Sequence, residues 1–479
     1  MSQIAVSSIE SDIPLVVDLD GTLIKSDMLI ESLFALASRH PLKAVRAILS
    51  LREGKAALKA RIADDAAVKV ANVPLNQELL ALLREEKARG RRLYLASASD
   101  LRYVQAIADH LGLFDGVFGS DGIVNLAGPA KTAALVAAFG DGGYDYAGDS
   151  KADFAVWAKA RKVLVVNAQR YVRDTARTRF SDVTEIGGRS FNPKAYIRAL
   201  RCHQWLKNLL VFVPGLAAHA FGATIVSGAL AFFSFSLCAS SAYLLNDLAD
   251  LNSDREHSTK SRRPFASGTL PLLHGVALFP VLLGLGLGLA FLLPLKFLGV
   301  LVAYYMMTIA YSFFLKRKMI VDVVVLAGLY GVRMVAGAAA GAIPMSSWLA
   351  AFAIFLFLCL ALIKRCTELI DRIQAGKGDP AGRGYRLDDL PVLFSMAAAS
   401  GYVSVLVMAL YISSPAVVPL YRTHSLLWLI CVILVYWISR VLLLTHRGWM
   451  HDDPVVFAAT DRVSLIAVAL VGCLVLASI

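Results

Sequence analysis

The sequence has few charged residues and no cysteine pattern that would build a zinc site or a disulfide framework. Charged residues make up 18% of its 479 residues, whereas soluble proteins average about 25%, and hydrophobic residues reach 57%, whereas about 45–50% is usual. The six cysteines all lie beyond residue 200 without CxxC spacing, which is typical of small apolar packing residues in a reduced compartment. This composition excludes an ordinary cytosolic multidomain enzyme and indicates that much of the chain lies in lipid.

The N-terminus lacks the basic segment and apolar run of a signal peptide, so we expect the N-terminal domain to stay in the cytosol. The chain also lacks a basic, aromatic-rich soluble face, so nucleic acid is not an expected partner. The net charge of +12 is unevenly distributed: residues 1–192 carry 25 Lys+Arg and 23 Asp+Glu, while residues 193–479 carry 23 and 13. Positive charge in the apolar part indicates anionic lipid or phosphate as partners.

Residues 1–190 alternate short apolar runs with amphipathic helical stretches, which predicts an α/β domain with a parallel, Rossmann-like sheet. The strand-like runs are PLVVDLDGT, RLYLASAS, YDYAGDS and KVLVVNA. About 65 residues of helical character, roughly 26–90, separate the first two strands, which is more than a simple crossover needs. They predict a helical cap inserted into this domain.

Residues 191–479 form the second predicted domain, an all-α polytopic membrane domain. Its apolar segments are each near the roughly 20 residues that span a bilayer, and we predict nine: about 206–220, 223–245, 273–293, 297–314, 320–341, 346–363, 392–412, 425–443 and 461–479. The first contains Pro214 and Gly215. With a cytosolic N-terminus, the four inside loops and their flanks hold 16 Lys+Arg, whereas the outside loops hold Lys296 and Arg422. The polar chemistry is therefore expected on the cytosolic face.

A carboxylate-rich motif follows the second predicted span, in YLLNDLADLNSDREHSTKSRRPFASG. Asp247, Asp250 and Asp254 recur at i, i+3 and i+7, so a continuing helix would place three carboxylates on one face. Such a triplet at a membrane helix end is electrostatically costly unless a cation joins it. Oxygen ligands favour Mg²⁺, which commonly binds carboxylates together with substrate phosphates. The alternative interpretation is a solvated helix terminus with incidental charges.

The motif resembles that of the UbiA superfamily of intramembrane prenyltransferases, and the resemblance covers residues 193–479. It implies that the three aspartates hold Mg²⁺ on a diphosphate, with Asn246 in support. The second motif of that superfamily, DxxxD, is not matched, because Asp322 is followed by Leu326. The loop after the sixth span instead carries Lys364 and Arg365, which suit direct contacts with an anionic substrate.

Six segments most resemble the polyprenyl-phosphate phosphoribosyltransferases: QWLKN (204–208), NDLADLNSDREH (246–257), RRPFASG (262–268), YSFFLKRKMIVD (311–322), GVRMVAG (331–337) and LIKRCTEL (362–369). The resemblance implies transfer of phosphoribose from 5-phosphoribosyl diphosphate to a polyprenyl phosphate such as decaprenyl phosphate. Ribose and diphosphate contacts are implied for Arg255, Lys260, Arg262 and Arg263. Contacts with the 5-phosphate or the lipid phosphate are implied for Lys207, Lys316, Arg317, Lys364 and Arg365. For Lys316 and Arg317, a topology signal alone is the alternative.

Arg333 lies in the middle of a predicted span, where an unpaired charge costs several kcal/mol. We expect it to face the cavity, in contact with phosphate or in a structural pair with Asp322 or Asp461. The segment DDPVVFAATDR (452–462) also resembles the phosphoribosyltransferases, but no role follows for Asp452, Asp453 or Asp461.

The DLDGT motif at residues 18–22 directly follows an apolar strand. Gly21 allows close backbone approach and Thr22 offers a hydroxyl. Three further elements follow: a serine after RLYLA, a lysine in GPAKTAAL and two aspartates in AGDSKAD. The four elements, in this order, resemble the haloacid dehalogenase phosphatase superfamily over about residues 12–180.

That resemblance implies Asp18 as the nucleophile that becomes an aspartyl-phosphate and Asp20 as the general acid and base. It also implies a Mg²⁺ site in this domain that includes both residues. Contacts with the phosphoryl oxygens are implied for Ser97, or alternatively Ser99, and for Lys131. Asp149 is implied to complete the Mg²⁺ site, with support from Asp153. P-type ATPases carry DKTGT without the second aspartate, so Asp20 favours a hydrolase.

Together the resemblances predict a fused two-step enzyme of the bacterial inner membrane, with one Mg²⁺ site in each domain and both active sites on the cytoplasmic side. The membrane domain would make polyprenyl-phosphoryl-5-phosphoribose, and the phosphatase would remove the 5-phosphate to give a precursor of the arabinose donor for cell-wall arabinan. One alternative is prenyl transfer from prenyl diphosphate to an aromatic acceptor. Another is a membrane half that only anchors the phosphatase. An oligomer is compatible with each of these readings.

Overall fold

The computed structural model describes residues 13–66, 68–188, 191–257, 259–380, 384–415, 417, 421–450 and 453–479. Asp452, for which the sequence offers no role, lies outside this range. The chain folds into two compact units. The first comprises Met1–Leu200 with Tyr243–Leu278, and the second comprises Arg201–Ala242 with Phe279–Ile479.

A six-stranded parallel sheet forms the centre of the first unit, as the alternating pattern predicts. Its strands are β1 (Leu15–Asp18), β2 (Leu93–Asp100), β3 (Gly116–Ser120), β4 (Asp145–Gly148), β5 (Val163–Val166) and β6 (Val183–Ile186), in the order β3-β2-β1-β4-β5-β6. The edge strands β3 and β6 are not among the predicted strands. They are mostly half-buried, so they lack the continuous apolar run that marks the four inner strands.

Four α-helices lie between β1 and β2: Met28–Arg39, Pro41–Leu49, Lys55–Asp65 and Gln77–Ala88. The first three share a small core of their own, with Leu36, Ala44 and Ile62 at its centre. Gln77–Ala88 differs, because its Leu79 and Leu83 pack into the core beside the sheet. The later helices of this domain are Leu101–Leu111, Pro129–Phe139, Phe154–Trp157 and Arg170–Arg179, followed by Pro193–Leu200.

Seven helices among the described residues are long and apolar enough to cross a membrane. They are Phe221–Ala249, Leu272–Ala290, Leu295–Phe313, Val321–Ala340, Ser347–Gln374, Leu387–Ile412 and His424–His446. A bent pair, Pro454–Thr460 and Arg462–Ser478, meets at 76° and would make an eighth if it forms one span. The predicted number of nine is therefore slightly too high.

The first predicted span, 206–220, accounts for the difference. This segment is a 3₁₀-helix, Cys202–Phe212, followed by the short helix Val213–Ala217. Proline at position 214 lacks a backbone donor and restricts the residue before it, so a regular long helix does not form here. The last predicted span begins at the bend, where Asp461 caps Arg462–Ser478 by accepting a hydrogen bond from the Ser464 amide.

The core of the second unit lies around Val321–Ala340 and Ser347–Gln374, with Tyr330, Leu362 and Cys366 buried in it. Gly337 permits a close approach in this unit, because a Cβ there would collide with the carbonyl oxygen of Val211. All six cysteines are free, and four of them are buried. That agrees with the packing role expected from their spacing.

Candidate active sites

Asp18 ends β1 and is the centre of the first site. Its Oδ1 accepts a hydrogen bond from Lys131 Nζ at 2.5 Å, and its Oδ2 accepts one from Thr22 Oγ1 at 3.4 Å. Burial and Asp153 raise the pKa of Asp18 and Lys131 lowers it, so that the pKa is about 7. A cation bound beside this carboxylate would favour its ionised, nucleophilic form.

Asp18, Asp149 and Asp153 offer carboxylate oxygens that all lie within 4.8 Å of one another. Asp153 is held in place by its Oδ2, which accepts from the amides of Asp149 and Ser150 at 3.2 and 3.0 Å. Gly21 has a φ of 80°, and a Cβ there would overlap the Asp149 carboxylate. Three convergent carboxylates beside a backbone without a side chain are a donor set that fits Mg²⁺.

Asp20 lies in a hydrogen-bond set of its own and is not part of the three-carboxylate group. Its Oδ1 accepts from the Met28 amide at 2.7 Å. Its Oδ2 accepts from Ser97 Oγ at 2.9 Å and from Ser99 Oγ at 2.7 Å. Both serines between which the sequence leaves a choice therefore contact the predicted acid and base.

Two further residues join this site without having been predicted. Lys59, from Lys55–Asp65, donates to the Ala98 carbonyl at 2.5 Å and to Asn125 Oδ1 at 2.7 Å, and it interacts electrostatically with Asp20. Tyr146 donates to Asp153 Oδ1 at 3.0 Å and accepts from Lys131 at 2.9 Å. No local motif distinguishes Lys59 from neighbouring lysines, whereas Tyr146 stands in the predicted strand YDYAGDS.

The aspartate motif begins at the end of Phe221–Ala249, where Asn246 is half-buried in the last turn. The helix does not continue as predicted: it breaks at Asp250, and a short helix, Leu251–Glu256, follows. Arg263 Nη1 donates to Asp247 Oδ1 at 3.0 Å and to Asp254 Oδ2 at 2.6 Å. Among the residues that the structure describes, the 4.8 Å three-carboxylate spacing occurs at Asp18 but not in this motif.

Two buried carboxylates, Asp247 and Asp254, thus share one cationic group. Burial, Asp247 and Asp250 raise the pKa of Asp254 and Arg263 lowers it, so that the pKa is about 6. The repulsion within the motif is the kind that a bound divalent cation relieves. This pair of carboxylates therefore fits Mg²⁺, with Asp250 half-buried beside it.

The remaining predicted cations of the first unit have different surroundings. Arg255 is not directed to a substrate: its guanidinium pairs with Glu31, and its Nε donates to the Ala266 carbonyl at 3.1 Å. Arg262 lines a cavity of about 120 Å³ together with Lys194 and Arg198. Lys260 is half-buried in the 3₁₀ turn Lys260–Arg262.

In the second unit, Asp453 is the centre of a polar cluster. It accepts hydrogen bonds from Lys207 Nζ at 2.8 Å, Lys364 Nζ at 2.7 Å and Tyr330 Oη at 3.0 Å. Two lysine amines therefore face one carboxylate, and burial lowers the pKa of Lys207 to about 7. Asp453, which the sequence left without a role, organises two of the predicted phosphate-binding lysines.

Arg333 is buried close to this cluster in neutral surroundings. It donates to Asn208 Oδ1 at 2.8 Å, to Tyr304 Oη at 3.1 Å and to the Leu329 carbonyl. The structural pairs considered for it, with Asp322 or Asp461, do not form. Asp322 pairs with Arg365 and Asp461 pairs with Arg440.

Arg365 has a structural contact set rather than a substrate-facing position. Its Nε donates to Asp322 Oδ2 at 2.7 Å, and its other nitrogens reach Tyr311 and Glu368. Its side chain is 3% exposed, whereas that of Lys364 is 34% exposed. Lys364 and Arg365 therefore have different surroundings, because adjacent residues on a helix point to different faces. In the turn Leu315–Arg317, Lys316 is half-buried and Arg317 is exposed.

Comparisons with known proteins assign each half of the chain to a family. The UbiA prenyltransferase family matches residues 208–476, and the haloacid dehalogenase-like hydrolases match residues 15–157. The uncharacterized protein y4nM of Sinorhizobium fredii is 37% identical over 96% of this chain and 90% of its own length. The nodulation protein NoeC of Azorhizobium caulinodans is 36% identical over 57% of this chain and 89% of its own length.

A decaprenyl-phosphate phosphoribosyltransferase of Mycobacterium tuberculosis is 38% identical over 36% of this chain and 59% of its own length. This chain thus matches somewhat over half of that relative. The family match covers more than half of the present chain, and the apolar helices make it a multi-pass membrane protein. The chain therefore belongs to the UbiA prenyltransferase family, with a haloacid dehalogenase-like hydrolase domain fused at its N-terminal side.

Proposed function

We propose that the protein transfers 5-phosphoribose from 5-phosphoribosyl diphosphate to a polyprenyl phosphate and then removes the 5-phosphate. The observation that carries this proposal is the presence, in one chain, of the Asp18 phosphatase constellation and a UbiA domain similar to decaprenyl-phosphate phosphoribosyltransferases. The product of the first reaction is a phosphomonoester, which is the substrate class of such a phosphatase. Fusion would give the second reaction a high effective substrate concentration.

In the transfer step, a lipid phosphate oxygen attacks the anomeric carbon of the ribose. The bond from that carbon to the diphosphate breaks, and pyrophosphate leaves with the bonding electrons. The lipid phosphate is already ionised, so no general base is needed and catalysis consists of positioning and electrostatic stabilisation. Asp247 and Asp254 would hold Mg²⁺, which when bound neutralises charge on the departing diphosphate.

The lysines of the Asp453 cluster are the proposed contacts for a substrate phosphate. Lys207 and Lys364 both contact one carboxylate, and burial lowers the pKa of Lys207 to about 7. A substrate phosphate bound beside them would favour the charged form of Lys207. Tyr330 holds Asp453 through both carboxylate oxygens, which fixes the cluster before substrate arrives. Arg333 adds a buried positive charge that is bonded only to neutral groups in the described contacts.

In the hydrolysis step, Asp18 attacks the phosphorus and the ester oxygen departs with a proton from Asp20. The aspartyl-phosphate is then cleaved by water, from which Asp20 takes a proton, and inorganic phosphate is released. Lys131 neutralises phosphoryl oxygens from its position 2.5 Å from Asp18. We further propose that this occurs at the cytoplasmic side of a bacterial inner membrane and supplies a precursor of the arabinose donor for cell-wall arabinan.

The test incubates the purified protein with polyprenyl phosphate, 5-phosphoribosyl diphosphate and Mg²⁺, followed by mass spectrometry of the lipid. Wild type should yield polyprenyl-phosphoryl-ribose, and Asp18→Asn should accumulate the 5-phosphorylated lipid. Asp247→Ala should yield neither. Absence of any ribosylated lipid from wild type would refute the proposal, and prenylation of an aromatic acceptor from prenyl diphosphate would favour ordinary UbiA chemistry.

A further inference from the structure

We propose that Glu31 of the hydrolase domain is a positioning residue for the transferase, because it fixes the aspartate motif through Arg255. The inference rests on the proposed transfer reaction. It assigns to the N-terminal domain a role in positioning the aspartate motif that is independent of phosphatase chemistry. All residues concerned belong to the first compact unit.

Glu31 and Arg255 form an ion pair with two hydrogen bonds, and both side chains are almost completely buried. Arg255 Nη2 lies 2.5 Å from Glu31 Oε1, and Nη1 lies 3.1 Å from Oε2. The side chains are 4% and 1% exposed for Arg255 and Glu31 respectively. A two-point guanidinium–carboxylate contact fixes orientation as well as distance, and a lysine or glutamine could not reproduce it.

On the transferase side, Arg255 directly follows Asp254 in the short helix Leu251–Glu256. Its third contact, from Nε to the Ala266 carbonyl, joins this helix to the returning segment that contains Arg263. Arg263 in turn bonds both Asp247 and Asp254. The guanidinium of Arg255, held by Glu31, therefore fixes the segment from which Arg263 reaches both aspartates.

On the hydrolase side, Glu31 belongs to the first turn of Met28–Arg39. The amide of Met28, at the start of that turn, donates to the proposed acid and base Asp20. Ser26, just before the helix, also donates to the Glu31 carboxylate. The same helical turn thus contacts the phosphatase site at one residue and the transferase loop at another.

A neighbouring contact provides a matched control. Lys69 Nζ and Asn72 Nδ2 bond Glu256 Oε1 at 2.5 and 3.1 Å, one residue after Arg255. These side chains are open to solvent, with Lys69 59% and Glu256 47% exposed. Exposed ion pairs contribute little to stability. Removing this pair should therefore change the geometry of the aspartate motif much less than removing the buried pair.

The experiment measures the Mg²⁺ concentration that gives half-maximal phosphoribosyl transfer. Glu31→Gln and Arg255→Lys should each raise it roughly 10-fold or more, as loss of a residue supporting a metal ligand does. Glu31→Asp, which keeps the charge, should raise this Mg²⁺ concentration less than Glu31→Gln does. Glu256→Gln should stay within about twofold of wild type. A contact that merely held the domain folded would lower the amount of active protein without shifting the Mg²⁺ requirement.

A binding measurement separates this inference from the proposed reaction. In an Asp149→Asn background, Mn²⁺ binding followed by electron paramagnetic resonance should weaken in Glu31→Gln and not in Glu256→Gln. If wild type transfers no phosphoribose but this difference in Mn²⁺ binding appears, the proposed function fails and the positioning role stands. If Glu31→Gln and Arg255→Lys both keep the Mg²⁺ requirement and Mn²⁺ affinity within twofold of their parents, the positioning role is refuted.

Discussion

At the scale of single residues, the phosphatase site shows how burial and one cation set the state of a nucleophile. Burial, opposed by Lys131 at 2.5 Å, raises the pKa of Asp18 to about 7. Lys131 is itself fixed by Tyr146, which also holds Asp153. The Tyr146 hydroxyl therefore links Lys131, which is the counter-ion of the nucleophile Asp18, to Asp153 of the three-carboxylate group.

Replacing Lys131 by glutamine should lower kcat for hydrolysis of a phosphomonoester by about 100-fold or more, because one preorganised positive group is lost from the transferring phosphoryl. The transfer reaction should continue, so the 5-phosphorylated lipid should accumulate. Steady-state kinetics with p-nitrophenyl phosphate and lipid analysis of the same preparation check both parts. Unchanged phosphatase kinetics would contradict the assigned role.

Arg365 and Lys364 are adjacent in sequence but should respond differently to substitution. Arg365→Met removes the guanidinium from a buried ion pair with Asp322 and should cost about 3–5 kcal/mol of stability. Lys364→Met leaves Asp453 paired with Lys207 and should weaken substrate binding rather than the fold. Thermal unfolding in detergent and KM values distinguish the two. The assignment fails if Arg365→Met unfolds at the wild-type temperature.

Residues within short motifs were predictable, whereas the partners of isolated cations were not. The spacing of DLDGT and the strand before it correctly indicated that Asp18 and Asp20 lie at one strand end. The family resemblance assigned Arg255 to ribose and diphosphate, whereas in the structure it pairs with Glu31, 224 residues away. Local sequence cannot show which distant carboxylate neutralises an arginine, and the same reason explains Arg365 with Asp322.

At the scale of secondary-structure elements, Gly337 permits a close approach of two helices in the second unit. A Cβ at Gly337 would collide with the Val211 carbonyl, whereas at Gly331, on the same helix, it would meet no atom within 4 Å. Gly337→Ala should therefore cost about 1–3 kcal/mol through overpacking. Gly331→Ala should be neutral or stabilising by up to about 1 kcal/mol. Equal unfolding temperatures for the two variants would contradict this packing.

The inner strands were predictable because they are short continuous apolar runs, and the edge strands were not because they are half-exposed. Hydropathy likewise located the long helices. It overstated their number, since an average over 206–220 does not register the change from 3₁₀ to α geometry before Pro214. The i, i+3, i+7 spacing of the aspartates also gave no sign of the break at Asp250.

At the scale of the whole molecule, the fusion of two enzymes was visible in the sequence as two separate motif sets with different charge balance. The sequence did not show that residues 243–278 belong to one compact unit with residues 1–200. This grouping arises from contacts such as Glu31–Arg255 and Lys69–Glu256, which join distant parts of the chain.

Chelation provides a test of the molecule as a whole. Both proposed Mg²⁺ sites consist of carboxylate oxygens, so EDTA should stop phosphoribosyl transfer and phosphomonoester hydrolysis together, and Mg²⁺ should restore both. Asp149→Asn should weaken the Mg²⁺ response of hydrolysis alone, since Asp149 belongs to the Asp18 group. Persistence of either activity in EDTA would contradict the corresponding site.

The proposed two-step reaction adds phosphoribose to a lipid and then removes the 5-phosphate within one chain. The decisive measurement uses 5-phosphoribosyl diphosphate that carries ¹⁴C in the ribose and ³²P in the 5-phosphate. Wild type should place ¹⁴C but not ³²P in the polyprenyl lipid and release ³²P as inorganic phosphate, while Asp18→Asn should retain both labels in the lipid. A wild-type lipid that contains no ¹⁴C, or that keeps ³²P in equal proportion, would contradict the account.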